Sequence, residues 1–319
     1  MVTLNQLKIE NDDKLVAGVI EEFQKNSILM DALTYDDAVG VTGGSTMSYG
    51  YLREKTEAGA AVRGINGEYE ANEATTERVV TNLAIMGGSY KIDRVIAKAS
   101  KGAFVDQVEY QSAKKVKATK NEFSNMIING DVSADANGFD GLDKILAGSS
   151  TEVTATVDLS TSALVDQNAS AFVDELEEVL SKMDGQADFL IGNTAAINKV
   201  KAVARRMTQY QETKDEFGRN VSKYGDITLL DMGKYYNKAT ETDKDIIPTD
   251  ENGMTDIYFV RLGLDGFHGI TLRDGSMISA NLPDFTTAGT VKEGDVELIA
   301  GVALKSTKAA AVLRNVKVK

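Results

Sequence analysis

Cysteine is absent from this chain of 319 residues, and histidine occurs once. With no thiol there is no disulfide framework, thiolate metal site or cysteine nucleophile. A single imidazole leaves a two-histidine zinc site without its second ligand. His268, in Gly266-Phe267-His268-Gly269-Ile270, reads as a strand-end residue. No apolar run approaches the length of a membrane span. The opening MVTLNQLKIENDDK has acids where a signal peptide needs a basic region and an apolar core. The expectation is a chain that meets no membrane and stays in the cytoplasm of the cell that makes it. Net basic charge is also missing: 35 Lys and Arg against 48 Asp and Glu give a formal charge of -13. A nucleic-acid reader normally carries the opposite balance, because neutralising phosphates supplies most non-specific affinity. Only Lys114, Lys115, Lys117 and Lys120 are locally basic, and on a helix they spread over the solvated side.

Partial motifs fail on their spacing. The glycines of Val41 to Thr46 lack the strand before them, the helix after them and the Lys-Ser/Thr ending of a phosphate loop. Asp250-Glu251-Asn252-Gly253 lacks the earlier ligands of a calcium loop, and Phe259 stands where the closing glutamate belongs. Asp174, Glu175, Glu177 and Glu178 are the wet face of a helix. No catalytic, cofactor-binding or metal site is expected.

What is present is a 42% hydrophobic, 26% charged chain able to build a real core. From Asp12 to Gln24 an apolar stripe of Leu15, Val16, Val19, Ile20 and Phe23 recurs at helical spacing. A short apolar piece, Ile28 to Leu33, and a glycine-rich break at Gly40 to Gly44 follow. Residues 46–92 read as a long hairpin whose charged, glycine-spaced tip has no hydrophobic cluster of its own. Its return ends in Tyr90 and Ile92 alternating with Lys91 and Asp93, the period of a strand with one polar face. Phe104 to Ile128 carries apolar or small residues at Val105, Val108, Ser112, Val116, Thr119, Phe123, Met126 and Ile127. That is one face of a helix of roughly 25 residues, about 38 Å long. Asn129-Gly130 should stop it, with glycine in the left-handed conformation.

Beyond it, Phe172, Leu176, Val179, Leu180 and Met183 predict a helix ended by Gly185. Phe189 to Gly192 predicts a buried strand, and a further helix opens at Asn193 or Thr194, both good caps. Strand-like segments at 227–232, 257–260 and 269–273 complete an α+β arrangement, closed by strands at 296–304 and 309–318.

This order of elements, together with Gly88 to Ile96, Phe123 to Asp131, Asn137 to Leu142, Phe189 to Asn193 and Ala309 to Leu313, resembles the major capsid proteins of tailed bacteriophages. The resemblance implies the HK-ninety-seven-like capsid fold, with an N-terminal arm (residues 1–45), an extended loop (46–92), a peripheral domain on a long spine helix (93–155 and 286–319) and an axial domain (156–285). It implies pentamers and hexamers closing into an icosahedral phage head around double-stranded DNA. Portal, scaffolding or decoration proteins are the implied partners, and the virion, assembled in the host bacterial cytoplasm, is the implied location. Val19, Ile20 and Phe23 of the arm, and Arg53, Glu54, Lys55, Glu57, Arg63 and Glu68 of the loop, are the expected assembly residues. An encapsulin-type nanocompartment shares the fold and stands as the alternative, and a soluble enzyme is the rival from another class.

Overall fold

The computed structural model describes residues 28–39, 47–101, 106–207, 210–214, 220–238, 240–273 and 277–319. The expected arm helix over Asp12–Gln24, with Val19, Ile20 and Phe23, lies outside the described residues.

The first elements are α1 (Ile28–Ala32), β1 (Tyr35–Val39), a two-stranded ribbon of β2 (Ser48–Thr56) and β3 (Thr75–Asn82), and β4 (Ala84–Asp93). Then come α2 (Arg94–Ser100), the long α3 (Gln107–Asn129), α4 (Leu142–Leu146) and β5 (Glu152–Thr154). The next stretch holds α5 (Ser162–Ser181), β6 (Phe189–Gly192), α6 (Thr194–Arg206), β7 (Tyr210–Lys214), β8 (Asn220–Tyr224) and β9 (Ile227–Asp231). A small ribbon of β10 (Lys234–Asn237) and β11 (Thr242–Asp245) precedes β12 (Met254–Val260), β13 (Phe267–Leu272), β14 (Ile278–Asn281), β15 (Val291–Leu304) and β16 (Ala310–Lys317).

Two sheets carry the body. In the larger, the order is β5-β16-β12-β6-β9-β8-β7. Its central strands are apolar on both faces, as strands covered from both sides must be. Ile257 and Phe259 of β12, with Ala311 and Leu313 of β16, point to a core filled by Phe172, Leu176 and Val179 of α5 and Ile197, Val200 and Val203 of α6. Their neighbours Tyr258, Val260, Ala310 and Val312 point the other way, to a second core with Phe123, Ile127 and Ile128 of α3. That second core also takes in Leu298, Ala300, Val302 and Leu304 of β15. In the smaller sheet β15 pairs with β4 along one edge and with β13 and β14 along the other. One helix therefore ties both sheets together.

Arg314 on β16 locks the seam. Its guanidinium bonds Asp143 of α4, Glu152 of β5 at 2.9 Å and Asp256 of β12 at 2.8 Å. Burial works against its charge, but the bonds from Asp143, Asp256 and Glu152 outweigh burial and hold the group above its ordinary pKa.

Several local expectations need correcting. Gly130 does cap α3, but at φ -57 it is not left-handed. A Cβ there would overlap the Phe139 carbonyl oxygen and lie 2.6 Å from that of Met126, so close approach of backbone, not a positive φ, demands glycine. The helix expected to end at Gly185 stops four residues earlier, at Ser181, and begins ten residues before the expected apolar stripe, capped by the Thr161 side chain accepting from the Leu164 N–H. Asn193, not Thr194, caps α6, accepting from the Ala196 N–H at 2.8 Å. The return of the long hairpin divides in two: β3 stays in the ribbon, whereas β4 pairs with β15 from Ala84 to Asp93. The excursion from the body is thus residues 48–82 rather than 46–92. The sheets also group strands across the boundary drawn at 286, since β16 pairs with β12 and β13 pairs with β15. The Asp250 Oδ1 accepts from the Met254 N–H at 2.7 Å and closes its own turn.

Candidate assembly interface

The β2–β3 ribbon alternates in the manner of a strand pair with one face turned to the body. Tyr49, Tyr51 and Arg53 of β2, with Glu77, Val79 and Thr81 of β3, are the shielded set. Gly50, Leu52, Glu54, Arg78 and Val80 face out, and Leu52 is 74% exposed.

At its root the inner face is fastened to the body by side chains. The Tyr51 hydroxyl donates to the Leu304 carbonyl at 2.8 Å, and Arg53 reaches the same carbonyl at 2.9 Å and that of Lys305 at 3.2 Å. Those carbonyls end β15, where its ladder partners run out, so the clamp satisfies groups that would otherwise face water. The Tyr49 hydroxyl donates to Asp36 Oδ2 at 2.8 Å, and the Lys305 ammonium lies 5.6 Å over the Tyr49 ring. Beneath that ring, His268 is fully buried near the start of β13, as a strand-end residue, with ring centroids 5.9 Å apart. Its Nδ1 lies 3.3 Å from the Gly266 carbonyl, while Nε2 has no partner among the described residues. Burial pushes this imidazole below its usual pKa, and nearby Lys305 adds to the effect.

Away from the root the ribbon is bare. Residues 57–74 are exposed throughout, with Val62 101% and Ile65 97% accessible. A tight turn holds the end in shape: the Gly67 N–H donates to the Gly64 carbonyl at 3.1 Å, with Asn66 at φ 66. Arg63 donates to the Gly67 carbonyl at 3.0 Å and lies 5.3 Å over the Tyr69 ring. Fully burying residues such as Val62 and Ile65 is worth roughly 1.5–3 kcal/mol each, and the single chain gains none of it.

The residues singled out from the sequence thus fall into separate groups. Arg53 sits at the root, committed to Leu304 and Lys305. Glu54 and Lys55 lie exposed at the far end of β2, and Glu57, Arg63 and Glu68 belong to the bare tip. Sequence reasoning missed Tyr49 and Tyr51, whose partners are contributed by distant segments, and Val62, Ile65 and Tyr69, whose signal was apolar character inside an otherwise polar tip. Among the described residues no group of three or more His, Asp or Glu is placed to hold a metal.

No protein-family profile and no curated protein sequence matches the chain. Solved structures match it over nearly its whole length. The SrpI encapsulin from Synechococcus elongatus superposes with a TM-score of 0.65 at 18% identity, covering 97% of this chain and 95% of that one. The capsid of Myoviridae phage XM1 gives a TM-score of 0.63 at 12% identity and 99% coverage of both. A chain of Mycobacterium phage Ogopogo gives 0.57 at 15% identity, covering 98% and 99%. This is the HK-ninety-seven-like capsid fold. In that fold α3 is the spine helix and the β2–β3 ribbon is the extended loop, here drawn tight at the root and unsupported at the tip.

Proposed function

We propose that the chain is a shell-forming subunit, the major capsid protein of a tailed-phage head, which assembles as pentamers and hexamers around double-stranded DNA. One observation carries the proposal: a ribbon clamped to the body at its root holds a wholly exposed tip bearing Val62 and Ile65. A segment so placed gains burial only from another molecule, and in a closed shell of identical copies every tip meets the same neighbouring surface. The fold shared with phage capsids over the full chain length supports this reading. So does the formal charge of -13, because a strongly basic wall would grip phosphates and hinder packing and release of the genome. The subunit belongs in the virion, assembles in the host cytoplasm, and works with portal, scaffolding or decoration proteins.

The likeness to an encapsulin supports a second reading, a nanocompartment shell holding protein cargo. Electron microscopy of the expressed full chain tests both. Closed icosahedral particles are expected, and a monomer at all concentrations would end the shell reading. Particles from the native source that hold DNA and a portal at one vertex favour the phage head. Particles with enzyme cargo and twelve equal vertices favour the compartment.

A further inference from the structure

Four Asn-Gly pairs occur in the chain, at 66–67, 129–130, 137–138 and 252–253. This dipeptide carries a latent reaction, because glycine has no side chain to keep its backbone nitrogen from the preceding asparagine's amide carbon. The fold restrains three of the pairs. Asn129 Nδ2 donates to the Ile246 carbonyl at 2.6 Å, and Gly130 is buried against the Phe139 backbone. Asn137 Nδ2 donates to Asp135 Oδ1 at 3.3 Å, and Gly138 is buried. Asn252 Nδ2 donates to Asp250 Oδ2 at 3.4 Å, and the carbonyl of buried Gly253 accepts from the Val318 N–H at 2.9 Å. The fourth pair is held by exposed bonds alone. Asn66 and Gly67 both face water, and the Asn66 amide makes no hydrogen bond among the described residues. The Gly67 N–H is occupied by the turn bond to the Gly64 carbonyl at 3.1 Å, and the Gly67 carbonyl by Arg63.

We infer that Asn66 is a site of spontaneous covalent modification, where the folded chain converts asparagine to aspartate and isoaspartate while the other three pairs are protected. The Gly67 backbone nitrogen, giving its proton to water or hydroxide, attacks Asn66 Cγ. The bond from Cγ to Nδ2 breaks, ammonia leaves, and a five-membered succinimide remains. Water then opens that ring. Cleavage between the nitrogen and Cγ gives aspartate; cleavage on the main-chain carbonyl side gives isoaspartate, whose backbone runs through the former side chain. One water enters and one ammonia departs, with no oxidant or reductant. Opening decides which pair reacts, since the nitrogen must first leave its hydrogen bond and swing toward Cγ. Exposed turns open at almost no free-energy cost, whereas buried backbone opens only with the unit around it. The product adds a carboxylate to a tip that carries Glu57, Glu68, Glu70 and Glu73 against Arg63 alone, so four acids and one base, a net of -3, become -4. Isoaspartate also inserts a methylene into the backbone between Gly64 and Gly67, which breaks the geometry of their turn. The reaction is a property of the folded subunit and proceeds whatever the subunit builds.

Peptide mapping of the full chain, aged in mildly alkaline buffer, tests the site. The tryptic fragment Gly64–Arg78 should split into aspartate and isoaspartate forms of equal mass that separate by chromatography. Its rate should be at least about tenfold that at Asn129. In urea the four pairs should react within about threefold of one another, because the fold is what distinguishes them. Gly67→Ala should remove most of the change, since a methyl group then shields the nitrogen. The turn accepts that methyl group, which would meet nothing nearer than the Gly64 carbonyl oxygen at 3.4 Å. Asn129, Asn137 or Asn252 reacting as fast as Asn66 in the folded chain overturns the inference. So does an Asn66 that still leads in urea, which would give the selection to its sequence neighbours. An undiminished rate in Gly67→Ala overturns it too, because the amide would then be hydrolysed without the ring.

Discussion

The seven-stranded sheet and the β2–β3 ribbon are both built on alternating strands, yet they settle their apolar surface in opposite ways. β12 and β16 bury consecutive residues on two faces, because α5 and α6 cover one side and α3 the other. The ribbon buries only part of one face, at the root, and leaves its outer face and whole tip in water. An isolated two-stranded ribbon is marginal without something to pack on. The body buries its own apolar surface, whereas the ribbon leaves surface that, on the shell-forming reading proposed above, another copy would cover. Changes in one should be read out as stability, changes in the other as assembly.

The sharpest way to break that contrast is to remove the tip. Thr56 and Thr75 are cross-strand partners, so residues 57–74 can be replaced by an Asn-Gly turn without disturbing the register. The shortened chain should fold with an unchanged melting temperature and form no closed shells in negative-stain micrographs. Normal particles from it would show that the tip is dispensable. In the body the effect should be reversed. Phe172→Ala opens a cavity at a fully buried position and should cost about 3–5 kcal/mol in urea unfolding of the subunit. Val62→Ala should leave that stability within about 0.5 kcal/mol while weakening assembly. If both substitutions changed stability alike, the division of labour would be wrong.

A smaller effect is expected at the seam. Arg314→Met keeps much of the side-chain volume but leaves Asp143, Glu152 and Asp256 facing one another without their cation. Breaking a fully buried pair costs about 3–5 kcal/mol, and these carboxylates are partly solvated, so roughly 2–3 kcal/mol is expected. The double variant Arg314→Met with Asp143→Asn should recover part of that loss, measurable as a smaller shift in urea midpoint. Equal midpoints for the single and double variants would mean the carboxylates do not repel.

How far this division could be read beforehand follows from the range of the interactions involved. The face of α3 was legible because Thr119, Phe123 and Ile127 repeat at helical spacing and all three are buried. The tip was legible as a charged, glycine-spaced stretch lacking a cluster, which is a local property. The start of α5 was not, because Ser162 to Ala171 has few apolar residues and only Val165 and Ala169 of that turn reach the core. Gly130 was placed correctly at the helix end for the wrong physical reason, since only the folded approach of Phe139 reveals the crowding. The root clamp was invisible: Tyr51 and Leu304 stand 253 residues apart, and nothing in either neighbourhood announces the other. Likewise the split between β3 and β4 depends on the Ala84 to Asp93 ladder with β15, which the alternation permits but does not specify.

The smallest effect is expected where ribbon and body meet, at His268. Its imidazole is fully buried, edge-on to Tyr49, with the cation Lys305 and the carboxylates Asp36 and Asp265 as its charged surroundings. Burial, the largest influence, favours the neutral ring and puts its folded pKa below the value of about 6.5 for an unfolded chain. Above that value neither state holds the proton and the group contributes nothing to pH dependence. As pH falls through the unfolded pKa, the unfolded chain binds a proton that the folded chain refuses, so stability declines until the folded pKa is passed. With one histidine in the chain and ordinary carboxylates titrating near 4, the interval between about pH 6.5 and 5 isolates this group. The urea midpoint of the subunit should therefore drop between pH 7.5 and 5.5, and cleavage of the ribbon by added protease should rise in parallel as the Tyr49 contact loosens. His268→Gln should flatten both trends, since its amide carries no proton to gain. Parallel pH profiles for the two proteins would place the sensitivity elsewhere, and a falling midpoint without added cleavage would put the weak point in the body rather than at the root of the ribbon.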